Sequence, residues 1–311
     1  MKIGLALPQR GSTISPGIIK VFARQAEAHG FDCLWVHERM FNPLGNPGGA
    51  GLSDDLSPFE LLSFAAAATE RIRLGTSVVI LGYYRPVMLA KRAATLDVLS
   101  EGRLTLGIGL GLSEEEYRQS EVDYKTRGKR SADFIKALKA CWLPDPVEYR
   151  GTFFDIPPCS TSPKPVQRDA QGNPAIPLMG GFRSKPGQRR TAELCDAWQT
   201  AGKDLTTAQA DYEEANTAAQ EEFGRERLPF VWRVWVIPPF SSRQPPEQRG
   251  GRAVPFWHGP AEELAERVHE AREAGVDEII LDTNWFQTND GKDGWEHQPE
   301  SLAPLVEAAH S

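Results

Sequence analysis

Residues 30–39 read GFDCLWVHER, an apolar run from Cys33 to Val36 that ends in His37, Glu38 and Arg39. An imidazole, a carboxylate and a guanidinium in succession could move a proton and hold a developing negative charge. The same three groups could instead close on neighbouring charges and seal the rim of a barrel. GIGLG, Gly107–Gly111, follows a second apolar run and opens into Ser113 and three glutamates. Leu112 follows Gly111, so the stretch is not the GxGxxG of a dinucleotide fold. It reads either as a tight strand-to-helix turn or as backbone brought close to a planar or phosphorylated ligand. PLMGGFRS, 177–184, sets Gly180, Gly181, Arg183 and Ser184 between a strand and a helix, where exposed N–H groups and a cation suit an anion. TSVVILGYYRP, 76–86, runs from a strand into an aromatic, basic loop. The histidines, His258, His269 and His297 among them, have no metal-ligand spacing, so no metal is expected. Serine-hydrolase and zinc-protease motifs are absent.

These residues need elements to hold them, and the apolar pattern supplies them. Strand-like runs at 3–7, 32–36, 72–80, 104–108, 176–180, 196–200, 230–237 and 277–282 alternate with helical stretches. Ser15-Pro16 and Ser57-Pro58 mark helix starts, and Ser57 with Glu60 and Ser113 with Glu116 match the capping box. Phe134, Leu138 and Cys141, like Leu264, Val268 and Ala271, repeat at i, i+4, i+7. About eight β–α units over 311 residues predict one (β/α)8 TIM barrel spanning 1–311, with insertions at its C-terminal face. Residues 147–157 read as a hairpin turning at Arg150-Gly151. Residues 240–258 and 284–298 read as long loops on the active-site face, the first mobile and the second rich in aromatics. Helix 58–70 is apolar around most of its surface, which predicts a subunit interface and a homodimer.

A net charge of -7 and the lack of a basic stripe argue against nucleic-acid binding. No run of 18 apolar residues predicts a membrane span, and no secretory signal is visible. The four scattered cysteines read as reduced thiols, so a cytoplasmic location is expected.

The segments AEAHGFDCLWVHER, TERIRLGTSVVILGYYRPVMLAKRAATLDVLSEGRLTLGIGLG, DPVEYRGTFFDI, PKPVQ, IPLMGGF, CDAWQTAG and GPAEELAERVHEAREAGVDEIIL together resemble the bacterial luciferase-like oxidoreductase family. Within it the chain looks closest to the branch dependent on the deazaflavin F420. The resemblance implies a TIM barrel holding F420, or alternatively FMN, at its C-terminal face. It implies a cis peptide at Ser77-Val78 against the middle ring. It implies approach to the ring or its side chain through Gly107, Gly109 and Leu110, and a phosphate cradle of Gly180, Gly181 and Arg183. His37 or Glu38 would act as acid or base and Arg39 as an electrostatic stabiliser. The chain departs from that branch in carrying Arg39 at the usual histidine position. It also carries Leu112 where sugar-phosphate dehydrogenases of the family have a carboxylate, so a sugar-phosphate substrate is not expected. Tyr83, Tyr84, Trp285 and Phe286 point to a hydrophobic or aromatic small molecule, to be reduced or monooxygenated. An FMN-dependent two-component monooxygenase, using O2 and a separate reductase, is the alternative. A hydrolase built on Glu38 lacks a visible partner carboxylate. A non-catalytic barrel is the remaining reading.

Overall fold

The computed structural model describes residues 1–11, 13–41, 55–241, 245, 255–284 and 294–311. Eight parallel strands run in chain order: β1 Lys2–Ala6, β2 Cys33–Val36, β3 Arg73–Thr76, β4 Leu104–Gly109, β5 Leu178–Gly180, β6 Ala197–Ala201, β7 Phe230–Val236 and β8 Glu278–Asp282. Each pairs with its successor, and β8 pairs back with β1, so the sheet closes. Helices follow the strands in turn: α1 Pro16–Ala28, α2 Pro58–Ala66, α3 Pro86–Leu99, α4 Arg127–Trp142, α5 Lys185–Leu194, α6 Leu205–Thr217, α7 Ala261–Glu273 and α8 Gln298–His310. This is the TIM barrel the pattern predicts. The hairpin is present as well, with Val147–Arg150 antiparallel to Asp155–Cys159.

Two apolar layers hold the barrel. The larger lies between strands and helices, where Leu34, Leu74, Leu106, Leu178, Trp198 and Leu281 meet Phe22, Leu89, Phe134, Leu138 and Leu264. A smaller layer, Cys33, Trp35, Met179, Val231 and Ile280, fills the barrel interior. Trp35 is its centre, and the strands beside it carry glycine because nothing larger fits. A Cβ on Gly4 or Gly75 would fall 2.3 Å from the indole. The Trp35 Nε1–H donates to Glu278 at 2.9 Å, which satisfies the buried donor.

Strand periodicity of two sets what lies above this layer. Two residues beyond Trp35, Ala197, Val231 and Ile280 come His37, Gln199, Arg233 and Asp282, all buried. The barrel therefore changes from an apolar floor to a polar layer at its C-terminal mouth.

Three expectations are corrected. Helix 58–70 is shorter, ending at Ala66, and Phe59, Leu61, Leu62, Ala65 and Ala66 of α2 are buried in the chain's own core. The stretch 240–258 contains Phe256–Trp257, a short strand alongside β7; its residues 242–244 and 246–254 lie outside the described residues. In 284–298, Trp295 is a core side chain packed edge-on against Phe22. Trp285 and Phe286 lie outside the described residues.

Candidate active site

Arg233 organises the polar layer. Its Nε and Nη2 donate to Asp282 Oδ2 at 3.1 and 2.6 Å, and Nη1 donates to the carbonyl oxygen of Ser77 and to Ser77 Oγ. The Ser77 hydroxyl donates in turn to Gln199 Oε1 at 3.0 Å. The Ser77-Val78 peptide bond is cis, at the position the resemblance implies. Asp282 would be raised by burial, but the Arg233 charge and hydrogen bonds hold its carboxyl below the usual range.

His37, Glu38 and Arg39 do not act as a cluster, because consecutive residues leaving a strand point apart. His37 is buried, its Nε2 3.1 Å from Arg10 Nη2 and 3.4 Å from Asp55, while Gln9 bonds its backbone from both sides. Burial, together with the Arg233 and Arg10 charges, pushes its pKa down against the pull of Asp55, so the imidazole is neutral near pH 7. Burial alone would raise Asp55, but hydrogen bonds from His37 and Arg10 bring it to about 2. Glu38 turns to the wall, accepting the Ile80 N–H at 2.6 Å and the Tyr84 hydroxyl. Arg39 bonds Glu116 at 3.1 Å. That glutamate's amide is capped by Ser113, as the capping box predicts. Its carboxylate instead fastens Arg39 and the Met40 amide.

Burial raises Glu38 to about 7 despite those two hydrogen bonds. A carboxyl raised from 4.5 is stabilising when protonated, so its contribution is complete below about pH 4.5 and is lost as pH climbs through 7. Glu38→Gln cannot ionise. Its stability relative to the parent should rise between pH 5 and pH 8 by on the order of 2 kcal/mol, read as a growing difference in melting temperature. A difference that stays constant over that range would refute the buried, protonatable carboxyl.

A cavity of about 340 Å³ opens above the polar layer. Ser77, Val78, Leu110, Gly181 and Arg183, all singled out in the sequence, border it together with Phe182, Arg127, Thr200, Arg233 and Trp235. Gly107, Gly109 and Gly180 do not border it. A Cβ at Gly107 would lie 1.8 Å from the Thr76 carbonyl, one at Gly109 2.6 Å from Val78, and one at Gly180 2.2 Å from Thr191. Their lack of side chains lets strands and helix close up behind the cavity. Tyr83 and Tyr84 also lie off the cavity, against Tyr117 and Phe59. The sequence reading missed Arg233, Asp282, Gln199, Arg127, Thr200 and Trp235. The available signal was a charge inside an apolar run, as in FVWRVWV and EIILD. A larger cavity of about 620 Å³ lies outside the barrel between α5 and α6. Its walls are ion pairs already closed, Lys185 with Glu214 and Arg189 with Glu222. The mouth cavity is the candidate site.

Among the described residues no cluster of His, Cys, Asp and Glu could hold a metal ion, and no helix is long and apolar enough to cross a membrane.

A closed parallel barrel with buried charges and a cavity at its C-terminal mouth has the architecture of a TIM-barrel enzyme. The comparisons with known proteins narrow that class. The chain belongs to the luciferase-like monooxygenase family, whose model matches residues 1–257, and it is an oxidoreductase of that family. An uncharacterized protein of Mycobacterium tuberculosis is 33% identical over 253 residues, 76% of this chain and 85% of the relative. The oxygenase component of a flavin-dependent trigonelline monooxygenase from Acinetobacter baylyi is 35% identical over 122 residues, 39% of this chain and 33% of the relative. Among solved structures, the coenzyme F420-dependent tetrahydromethanopterin reductase of Methanopyrus kandleri superposes with a TM-score of 0.70 at 16% identity, covering 98% of both chains, a likeness of fold.

Proposed function

We propose that the mouth cavity holds a flavin or deazaflavin, and that the chain uses it to reduce or monooxygenate a hydrophobic or aromatic small molecule. One observation carries this reading. Arg127, Arg183 and Arg233 border the cavity and, among the described residues, no carboxylate does, while Val78, Leu110, Phe182 and Trp235 supply an apolar wall. A site of several hundred cubic ångströms with that division suits a ligand with a flat apolar part and an anionic part.

Gly181 and Arg183 would hold the anionic end, and the Ser77-Val78 segment would back the ring. When bound, such a cofactor supplies transfer of electrons or hydride to the substrate or to dioxygen. The residues of the chain bind, orient and exclude water. Arg233 fixes the Ser77 carbonyl and places a positive charge below the site, while Glu38 and Arg39 hold its wall in position. F420 is the first reading, because Arg127 and Arg183 at a cavity that no described carboxylate borders suit the more anionic cofactor. FMN is the second, supported by the flavin-dependent relative; that relative, named as an oxygenase component, also supports a separate reductase that recharges the cofactor.

Titration of the purified chain with F420 and with FMN, followed by ring absorbance and fluorescence, tests the proposal. Binding of one of them at micromolar or lower Kd is expected and selects the branch. Binding of neither overturns it.

A further inference from the structure

We infer that Gly202 is a specificity-determining position: by lacking a side chain it lets the indole of Trp235 lie back, and so it sets the width left for substrate at the mouth. The inference rests on the proposed cofactor reading for what lies opposite Trp235, while the seating of the indole stands without it. β7 climbs the barrel in steps of two. Val231 belongs to the apolar floor, Arg233 to the polar layer, and Trp235 stands one pleat higher, half-buried at the edge of the cavity. Strands β3 and β7 are four places apart in a ring of eight, so they face each other across the barrel. The Arg233 guanidinium crosses that gap to the Ser77 carbonyl. Above this bridge, Val78 borders the cavity on one side and Trp235 on the other. A ring backed by the Ser77-Val78 segment leaves the Trp235 side to the second reactant.

What seats the indole lies outside the cavity. Gly202 follows β6 and is tied to β7 by its N–H, 3.4 Å from the Arg233 carbonyl oxygen, and it does not itself border the cavity. A Cβ on it would fall 2.6 Å from Cη2 of the indole, 3.1 Å from Cζ3 and 3.3 Å from Cζ2. The six-membered edge of the ring therefore rests on bare backbone. Phe256, opposite Trp235 in the strand register, lies against the ring with 5.4 Å between centroids and 35° between planes. With backbone on one side and Phe256 on another, a methyl group on Gly202 is accommodated by moving the indole toward the cavity. The narrowing falls on the substrate's side of the mouth. Gly202 also has a φ of 68°, a region that favours glycine for its backbone alone, so crowding has to be separated from strain.

Benzoate and 2-naphthoate are the probes, a one-ring and a two-ring acid whose carboxylates suit Arg127 and Arg183 at the cavity edge. Their Kd values are measured by calorimetry on the cofactor-loaded protein, and the ratio of the two is the readout. Gly202→Ala should weaken 2-naphthoate about tenfold relative to benzoate, on the scale of one overpacked methyl group. Adding Trp235→Phe to it, whose shorter ring clears the methyl, should return the ratio to within about threefold of the parent. Trp235→Phe alone should shift the ratio the other way, toward 2-naphthoate, and this arm decides if Gly202→Ala does not fold. Backbone strain alone would weaken both acids together, and shortening Trp235 would not correct it. An unchanged ratio in either single variant, a ratio that Trp235→Phe does not restore, or a parent that binds neither acid overturns the inference. A parent that takes up neither F420 nor FMN overturns the proposed function, while the ratios, measured then on the free protein, still decide on Gly202.

Discussion

Arg233→Met should lower stability by about 3–5 kcal/mol, seen as a fall in melting temperature of roughly 5–10 °C at neutral pH. The reason is the carboxylate left behind. Asp282 is wholly buried and its charge is held by two bonds from Arg233. Removing one member of a buried ion pair costs far more than removing both, because the remaining ion is uncompensated. The double variant Arg233→Met with Asp282→Leu should therefore recover most of the loss. It should not recover all of it, since the Ser77 carbonyl also loses its donor. Double-variant stability equal to or below that of the single variant would mean that the guanidinium acts through Ser77 alone.

Gly107→Ala should be at least as severe, at about 3 kcal/mol or more, and should reduce the yield of soluble protein. The new methyl would lie 1.8 Å from the Thr76 carbonyl oxygen and 2.8 Å from the Met179 methyl. Methionine can move, but the carbonyl belongs to the neighbouring strand, and moving it separates β3 from β4. Gly128→Ala is the control. That glycine lies in α4 with nothing within 4 Å of the new atom, so alanine there should stabilise by about 0.5–1 kcal/mol. A urea titration of the two variants beside the parent separates these effects. A Gly107→Ala protein as stable as the parent would show that the strand pair tolerates expansion.

The contrast between these sites marks what the sequence made legible. Strand and helix order were readable because apolar periodicity comes directly from burial, and each run found its place within a few residues. The cis position at Ser77 came from resemblance, since composition carries no trace of it. The triplet His37-Glu38-Arg39 is contiguous in the chain but not in space, because the pleat sends each to different partners, Asp55, Tyr84 and Glu116. Those partners are distant in sequence. Arg10 and Asp55 are 45 positions apart, and nothing local announces their bond. The polar layer was half visible. Arg233, Asp282 and Gln199 each interrupt an apolar strand, an unfavourable placement unless other strands contribute partners at the same height. Treating such interruptions as members of one layer would have picked out Arg233 from the amino-acid pattern alone.

Trp35 has a further consequence, for the order of events in turnover. With its ring wedged between Gly4 and Gly75 and anchored on Glu278, the barrel is closed from below, and the mouth is the doorway. Two ligands that share one doorway have to queue. The deeper occupant enters first and leaves last, so steady-state kinetics should follow a compulsory order, and the outer ligand should trap the inner one.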